Sequence, residues 1–253
     1  MTESKIIYSL RKENLDNYSK TFVPSRLLLG PGPSNAHPEV LKALSLNPIG
    51  HLDDAYLELM SDVQELLRYA WQCNNRVSLP MSGTGSAAME ASIANFIEEE
   101  ETILIAKKGY FGDRLADMAS RYKANVVVIE KEWGEAFSLD EIKFEIEKNK
   151  PSIFAIVHAE TSTGVLQPLD GIGEICRKNN CLFLVDAVTS LGAVKLLVDD
   201  WKIDLAYSCS QKGLSCPPGL SPFTMNNRAE EKLNMRKSKV PNWYLDLSLL
   251  NKY

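Results

Sequence analysis

The sequence predicts an α/β protein built on a mostly parallel sheet with helices on both faces. Short β-rich apolar runs, Ile103–Ala106, Val126–Ile129, Ile153–Val157, Cys181–Val185 and Ile203–Tyr207, alternate with amphipathic stretches near residues 86–98, 111–122, 139–149 and 169–179. Runs that are apolar throughout belong to strands covered on both sides, and helical patterns between them are how parallel strands are joined. Small polar residues and glycines cluster just after several runs, at the edge where open α/β sheets hold ligands.

The chain has 253 residues and is 45% hydrophobic, enough to bury one sizeable core or a main domain with an appendage. Its net charge is −5, with Lys and Arg scattered among the acids. A polyanion needs a basic stripe and a membrane surface a basic cluster, so nucleic acid and membrane are excluded as partners. No apolar run approaches the roughly 20 residues that span a bilayer, and the N-terminus has no signal-peptide core. Five cysteines without a CxxC pair and three well-separated histidines (His37, His51, His158) predict reduced thiols, a cytoplasmic chain and no metal site.

Taken in order, residues 1–26 are polar and aperiodic and predict an extended arm. Leu27–Asn35 follows, containing Gly30, Pro31, Gly32 and Pro33. It has the look of a phosphate loop, but proline has no N–H to offer an anion. A rigid pocket wall and a plain structural turn are the two remaining interpretations. From Asp54 a helix is predicted, with Asp53 or Asp54 as N-cap and Leu57, Met60, Val63, Leu66, Leu67, Ala70 and Trp71 forming a core-facing stripe.

Ser82–Glu90 reads Ser-Gly-Thr-Gly-Ser-Ala-Ala-Met-Glu. Small residues opening a helix place free N–H groups, the Thr84 and Ser86 hydroxyls and the positive end of a helix dipole around one point, which suits a phosphate. Gly83-x-Gly85-x-x-Ala88 also matches a loose dinucleotide fingerprint. The preceding run Arg76–Pro80 is broken by proline, however, and the next strand ends in Lys107-Lys108 where a nicotinamide site wants an acid. A helix start without any ligand is the third interpretation.

Asp186 closes the Cys181–Val185 run, where a carboxylate is costly unless a cation or a hydrogen-bond donor meets it; alone it is equally a turn cap. Lys212, in Ser208-Cys209-Ser210-Gln211-Lys212-Gly213, follows the Ile203–Tyr207 run and is closed by Pro217-Pro218-Gly219. One crossover separates it from Asp186, so both can emerge on one edge of the sheet. An amine, an anion cradle and a buried carboxylate together are what pyridoxal 5′-phosphate needs: a lysine for the Schiff base, donors for the phosphate and an acid that keeps the ring nitrogen protonated.

The segments Leu29–Asn35, His158–Leu169, Val185–Gly192 and Ser210–Lys212 carry a resemblance that runs from about Leu27 to the end. The chain resembles the class V, fold-type I aminotransferases, in particular the alanine–glyoxylate and serine–glyoxylate (serine–pyruvate) group. The resemblance implies Lys212 as the Schiff-base lysine, Asp186 on the ring nitrogen and Val188 on one ring face. It implies Phe111 on the other face, Thr161 on the ring hydroxyl, and Thr84, Gly85, Ser86 and Gln211 around the phosphate. Some members have tryptophan where Phe111 stands. Gly30, Pro31, Gly32 and Pro33 would wall the substrate side, and His158 is read as a satisfied core histidine. By the same resemblance the domains are an N-terminal arm with its loop over 1–34 and a cofactor-binding large domain over 35–253.

The implied chemistry is transamination between alanine or serine and glyoxylate or pyruvate, in a homodimer; by the same resemblance a peroxisomal or mitochondrial location stands beside the cytoplasmic one. Family members continue into a small C-terminal domain that carries the arginine for the substrate carboxylate, and this chain stops short of it. We therefore expect a nearly complete cofactor site with weak or absent turnover. The alternatives are a cofactor-binding or dimerising chain without catalysis, a cysteine desulfurase, which would want a histidine in place of Phe111, and a dinucleotide-dependent dehydrogenase.

Overall fold

A computed structural model describes residues 24–252, so the arm expected over residues 1–26 lies almost entirely outside the described residues. The described chain opens with extended backbone and a short helix, α1 (Pro38–Ala43), then the long helix α2 (Asp54–Trp71). Next come β1 (Val77–Ser82), α3 (Gly85–Phe96), β2 (Thr102–Lys107), α4 (Tyr110–Arg121), β3 (Asn125–Glu130) and α5 (Leu139–Asn149). After β4 (Ile153–Val157) a small hairpin, β5 (Ala159–Glu160) and β6 (Val165–Leu166), leads into α6 (Ile172–Lys178). The remainder is β7 (Leu182–Asp186), β8 (Leu205–Tyr207), β9 (Leu220–Met225), α7 (Asn227–Asn234) and two 3₁₀ turns, Trp243–Leu245 and Leu247–Lys252.

The main sheet runs in the order β1-β9-β8-β7-β4-β2-β3. Its neighbours are parallel from β3 through β8, and β9 is antiparallel to both β8 and β1. The expected mostly parallel sheet is therefore present. Alternation along β2 shows how both faces are covered: Ile103 and Ile105 face the core beneath α3, α4 and α7, while Leu104 and Ala106 face the core beneath α2, α5 and α6.

Two strands depart from the sequence expectation. The run held to be broken by Pro80 is β1, and β9, which contains Pro222, was not predicted at all. Pro80 pairs with Pro222 across β1 and β9. The carbonyl of Pro222 faces β8, accepting from Ser208 N–H at 2.8 Å, so neither proline points its nitrogen at the other. The donor missing from Pro80 falls on the outer side of an edge strand, where proline is tolerated.

Helix α2 is a second correction. Asp53 caps it as expected, accepting from Ala55 N–H at 2.9 Å. Only Leu67 and Trp71 of its stripe are buried, however, and Leu57 and Leu66 are exposed. Its last turns pack on the sheet, and its first half stands clear of the body. Helix α3 is the opposite case, buried almost all round. Its Asn95 donates to Leu245 C=O at 2.7 Å and accepts from Leu247 N–H at 2.8 Å, which pins the C-terminal turns over the helix.

Candidate active site

The residues singled out in the sequence follow the carboxyl ends of strands: Thr84–Ser86 after β1, Phe111 after β2, Thr161 after β4, Asp186–Val188 at β7, and Gln211–Lys212 after β8. They meet because these strands run side by side in one direction, apart from the intervening β9. A cavity of about 190 Å³ is lined by Thr84, Gly85, Ser86, Phe111, Asp186, Val188, Gln211 and Lys212, with Met89 and Arg114 completing it. A larger open groove of about 720 Å³, lined by residues such as Glu98, Glu101, Arg228 and Lys232, lies at the opposite ends of the strands and holds none of these residues.

Lys212 is half-buried. Its Nζ donates to Thr161 Oγ1 at 3.1 Å and to Thr189 Oγ1 at 3.3 Å, and lies 5.6 Å from the Phe111 ring centroid. Burial lowers its pKa from the ordinary lysine value, against the opposing pull of Cys209, Asp186 and Glu160. A larger share of neutral amine follows, and neutral amine is the nucleophilic form.

Asp186 is fully inside. Its Oδ1 accepts from Val188 N–H at 2.9 Å and its Oδ2 from the Tyr207 hydroxyl at 2.9 Å. Burial nevertheless pushes its pKa up to about 6, since two neutral donors do not offset the lost hydration of a charge. A cationic N–H brought to this carboxylate would favour its ionised form.

The start of α3 presents the expected donors. Thr84 is its N-cap, with no side-chain cap bond of its own. A Cβ on Gly85 would sit 2.9 Å from Val188 Cγ2, so only glycine lets the helix begin against the loop after β7. The Gly30–Pro33 loop lies against the lysine: a Cβ on Gly32, at φ +132°, would come within 3.0 Å of Lys212 Cγ and Cε. Ser34 ties the loop down, donating from its N–H to Gln211 C=O at 2.8 Å and from its hydroxyl to Lys212 C=O at 2.7 Å.

Five residues at the site were not foreseen. Tyr207 and Thr189 hold Asp186 and Lys212, as described. Arg114 lines the cavity one helical turn after Phe111. Glu160 accepts from Ser162 Oγ at 2.7 Å and fixes the start of α4, where a Cβ on Gly109 would fall 2.5 Å from Glu160 Cγ. Lys108 is buried, with no hydrogen-bond partner on Nζ, and burial lowers its pKa to about 8 despite nearby Glu160 and Asp186. Apolar runs and small-residue motifs carry no signal for these five. They are single polar residues, Tyr207 in β8, Glu160 in β5, Arg114 in α4 and Lys108 and Thr189 between elements, whose meeting depends on the sheet.

His158 corrects an expectation. It is buried and edge-on to Trp201 at 5.8 Å, but its Nδ1 has no partner among the described residues. Burial and then the Lys108 charge lower its pKa to about 4, so it is a neutral core histidine rather than a satisfied one.

Fold and site together define an α/β protein with a lysine-centred pocket, in which an amine and a buried carboxylate face the N-terminus of a helix. The chain belongs to the class-V aminotransferase family, whose profile matches residues 28–240. It is 43% identical over 230 residues to mouse alanine–glyoxylate aminotransferase, covering 91% of this chain and 56% of the relative. It is 44% identical over 214 residues to the (S)-ureidoglycine–glyoxylate transaminase of Bacillus subtilis, covering 85% of this chain and 51% of the relative. Among solved structures, alanine–glyoxylate aminotransferase from Nostoc sp. superposes with a TM-score of 0.92 at 58% identity, covering 95% of this chain and 64% of that one. The chain thus spans little more than half the length of the curated relatives it matches.

Proposed function

We propose that the chain holds pyridoxal 5′-phosphate on Lys212 and transfers an amino group from a small amino acid, alanine or serine, to the 2-oxo acid glyoxylate or pyruvate. The observation that carries this proposal is the single cavity on which the Lys212 amine, the Asp186 carboxylate and the start of α3 converge. The relatives' names support glyoxylate as acceptor, since two different donors, alanine and ureidoglycine, are paired with it.

The residues present fit the cofactor. Asp186, with its raised pKa and two neutral donors, suits a protonated ring nitrogen. Thr161 is beside the lysine and suits the ring hydroxyl. Phe111 and Val188 line the cavity with flat and branched apolar surfaces, and Thr84, Gly85, Ser86 and Gln211 supply phosphate donors. When bound, the group supplies a carbonyl for the amino group and a ring that stabilises negative charge on the substrate's α-carbon.

The chain's own part is to place a proton carrier. Lys212 Nζ, held by two threonine hydroxyls and with its pKa lowered by burial, is the amine that an incoming amino acid displaces and that then takes and returns the α-proton. The Gly30–Pro33 loop, pressed against the lysine stem, walls the substrate side.

A homodimer is part of the proposal. Leu41, Leu44, Leu46, Ile49, Leu52 and Leu57 are exposed along the described N-terminal segment and α2, an apolar surface that a second copy would cover. The five free cysteines support a reducing, cytoplasmic setting.

The test is the visible spectrum of the purified chain with pyridoxal phosphate, before and after alanine, beside Lys212→Ala. A band that needs Lys212 and is bleached by alanine supports amino-group transfer. A Lys212-dependent band that alanine leaves unchanged supports a cofactor-binding chain without catalysis. No band in either protein removes the cofactor assignment.

A further inference from the structure

We propose that Arg114 is the cation that neutralises the cofactor's phosphate, and that it does so together with the Ser86 hydroxyl; the inference rests on pyridoxal phosphate occupying the cavity. The cradle named so far is neutral. Thr84, Gly85, Ser86 and Gln211 offer hydrogen bonds without charge, and the first turn of α3 has no charged side chain. A helix N-terminus contributes roughly half a positive charge, whereas a phosphate monoester near pH 7 carries roughly −1.5 to −2. A charge of roughly −1 to −1.5 is left unbalanced, in a half-buried site where screening is weaker than in water. Lys212 does not fill this role, because its amine is held by Thr161 and Thr189.

Arg114 is placed to fill it. Its Nη1 donates to Ser86 Oγ at 3.1 Å, and its guanidinium lies 4.8 Å from the Phe111 ring centroid and 5.3 Å from that of Tyr110. Among the described residues it forms no ion pair and its remaining N–H groups have no hydrogen-bond partner, while Arg121 on the same helix is paired with Asp117. Because Ser86 Oγ accepts from Arg114, its own proton is left for an anion, and the polarised hydroxyl is the better donor.

Delivery is built into α4. Phe111 and Arg114 stand three residues apart on one helical face, so the helix that sets the stacking ring sets the cation with it. The start of that helix is held by Tyr110 N–H donating to Ser162 Oγ at 3.0 Å. The ligand class is a phosphate ester, and a guanidinium fork suits its oxygens better than an ammonium does.

The test measures affinity rather than turnover. Wild type, Arg114→Gln and Arg114→Lys are titrated with pyridoxal phosphate and with pyridoxal, which lacks the phosphate, following the Lys212-dependent band. We expect Arg114→Gln to lose roughly tenfold to a hundredfold in affinity for pyridoxal phosphate, to change by less than about twofold for pyridoxal, and to leave Arg114→Lys in between. Retained pyridoxal binding shows that the variant is folded. Unchanged affinity for pyridoxal phosphate overturns the inference. Equal losses for both aldehydes also overturn it, because Arg114 would then be holding Phe111 rather than the phosphate. A wild-type chain that shows no band with either aldehyde overturns the proposed function, and this inference with it.

Discussion

Asp186 and Lys108 are charged groups held where charge is costly, and each leaves a signature in stability against pH. The Asp186 pKa is raised from 3.8 to about 6 by burial. Between those values the folded chain holds a proton that the unfolded chain has released. Stability therefore falls as pH rises from about 4 to about 6, by on the order of 3 kcal/mol. We expect the ligand-free chain to show this fall in its denaturation midpoint and Asp186→Asn to lack it; identical profiles for the two proteins would refute the burial argument. Lys108 is the mirror case, lowered from 10.5 to about 8. Here the unfolded chain binds the extra proton, so stability rises as pH climbs through that window. Lys108→Met should raise the unfolding free energy at pH 7 by on the order of 3 kcal/mol, and with it the melting temperature, and the gain should shrink toward pH 10. A lower melting temperature at pH 7 would show instead that Lys108 balances Glu160 and Asp186 at a net gain.

At the scale of elements, α5 was the most legible. Its expected span, 139–149, is the one observed, because Ser138 and Glu141 form a capping box: Ser138 Oγ accepts from Glu141 N–H at 3.3 Å and Glu141 Oε2 from Ser138 N–H at 2.8 Å. Ser138→Ala should cost about 1 kcal/mol in chemical denaturation. Helix α6 meets a stricter limit, since a Cβ on Gly173 would fall 2.2 Å from Trp201 C=O. Gly173→Ala should destabilise the chain by roughly 3 kcal/mol or more, because backbone rather than a pliable side chain must move. A variant as stable as wild type would contradict this packing. The strand β1 was illegible for a related reason: whether a proline breaks a strand depends on which side of it is paired, and that is a property of the sheet.

At the scale of the whole molecule, the apolar side chains left exposed along residues 24–59 ask for a partner. Light scattering should report twice the monomer mass, and Leu44→Ser with Leu57→Ser should return the monomer without loss of helical signal. A monomeric wild type would remove the homodimer from the proposal.

The sequence by itself determined the alternation of strands and helices, the position of Lys212 and Asp186 on one edge of the sheet and the small-residue start of α3. Each of these is written in local pattern: apolar runs, spacing along the chain, and glycine where a side chain has no room. Only the tertiary structure decided that Tyr207, Thr189, Arg114, Glu160 and Lys108 stand at the same site. Their roles come from distances across adjacent strands and from burial, and both exist only once the segments around β2, β4, β7 and β8 have been brought to one edge of the sheet.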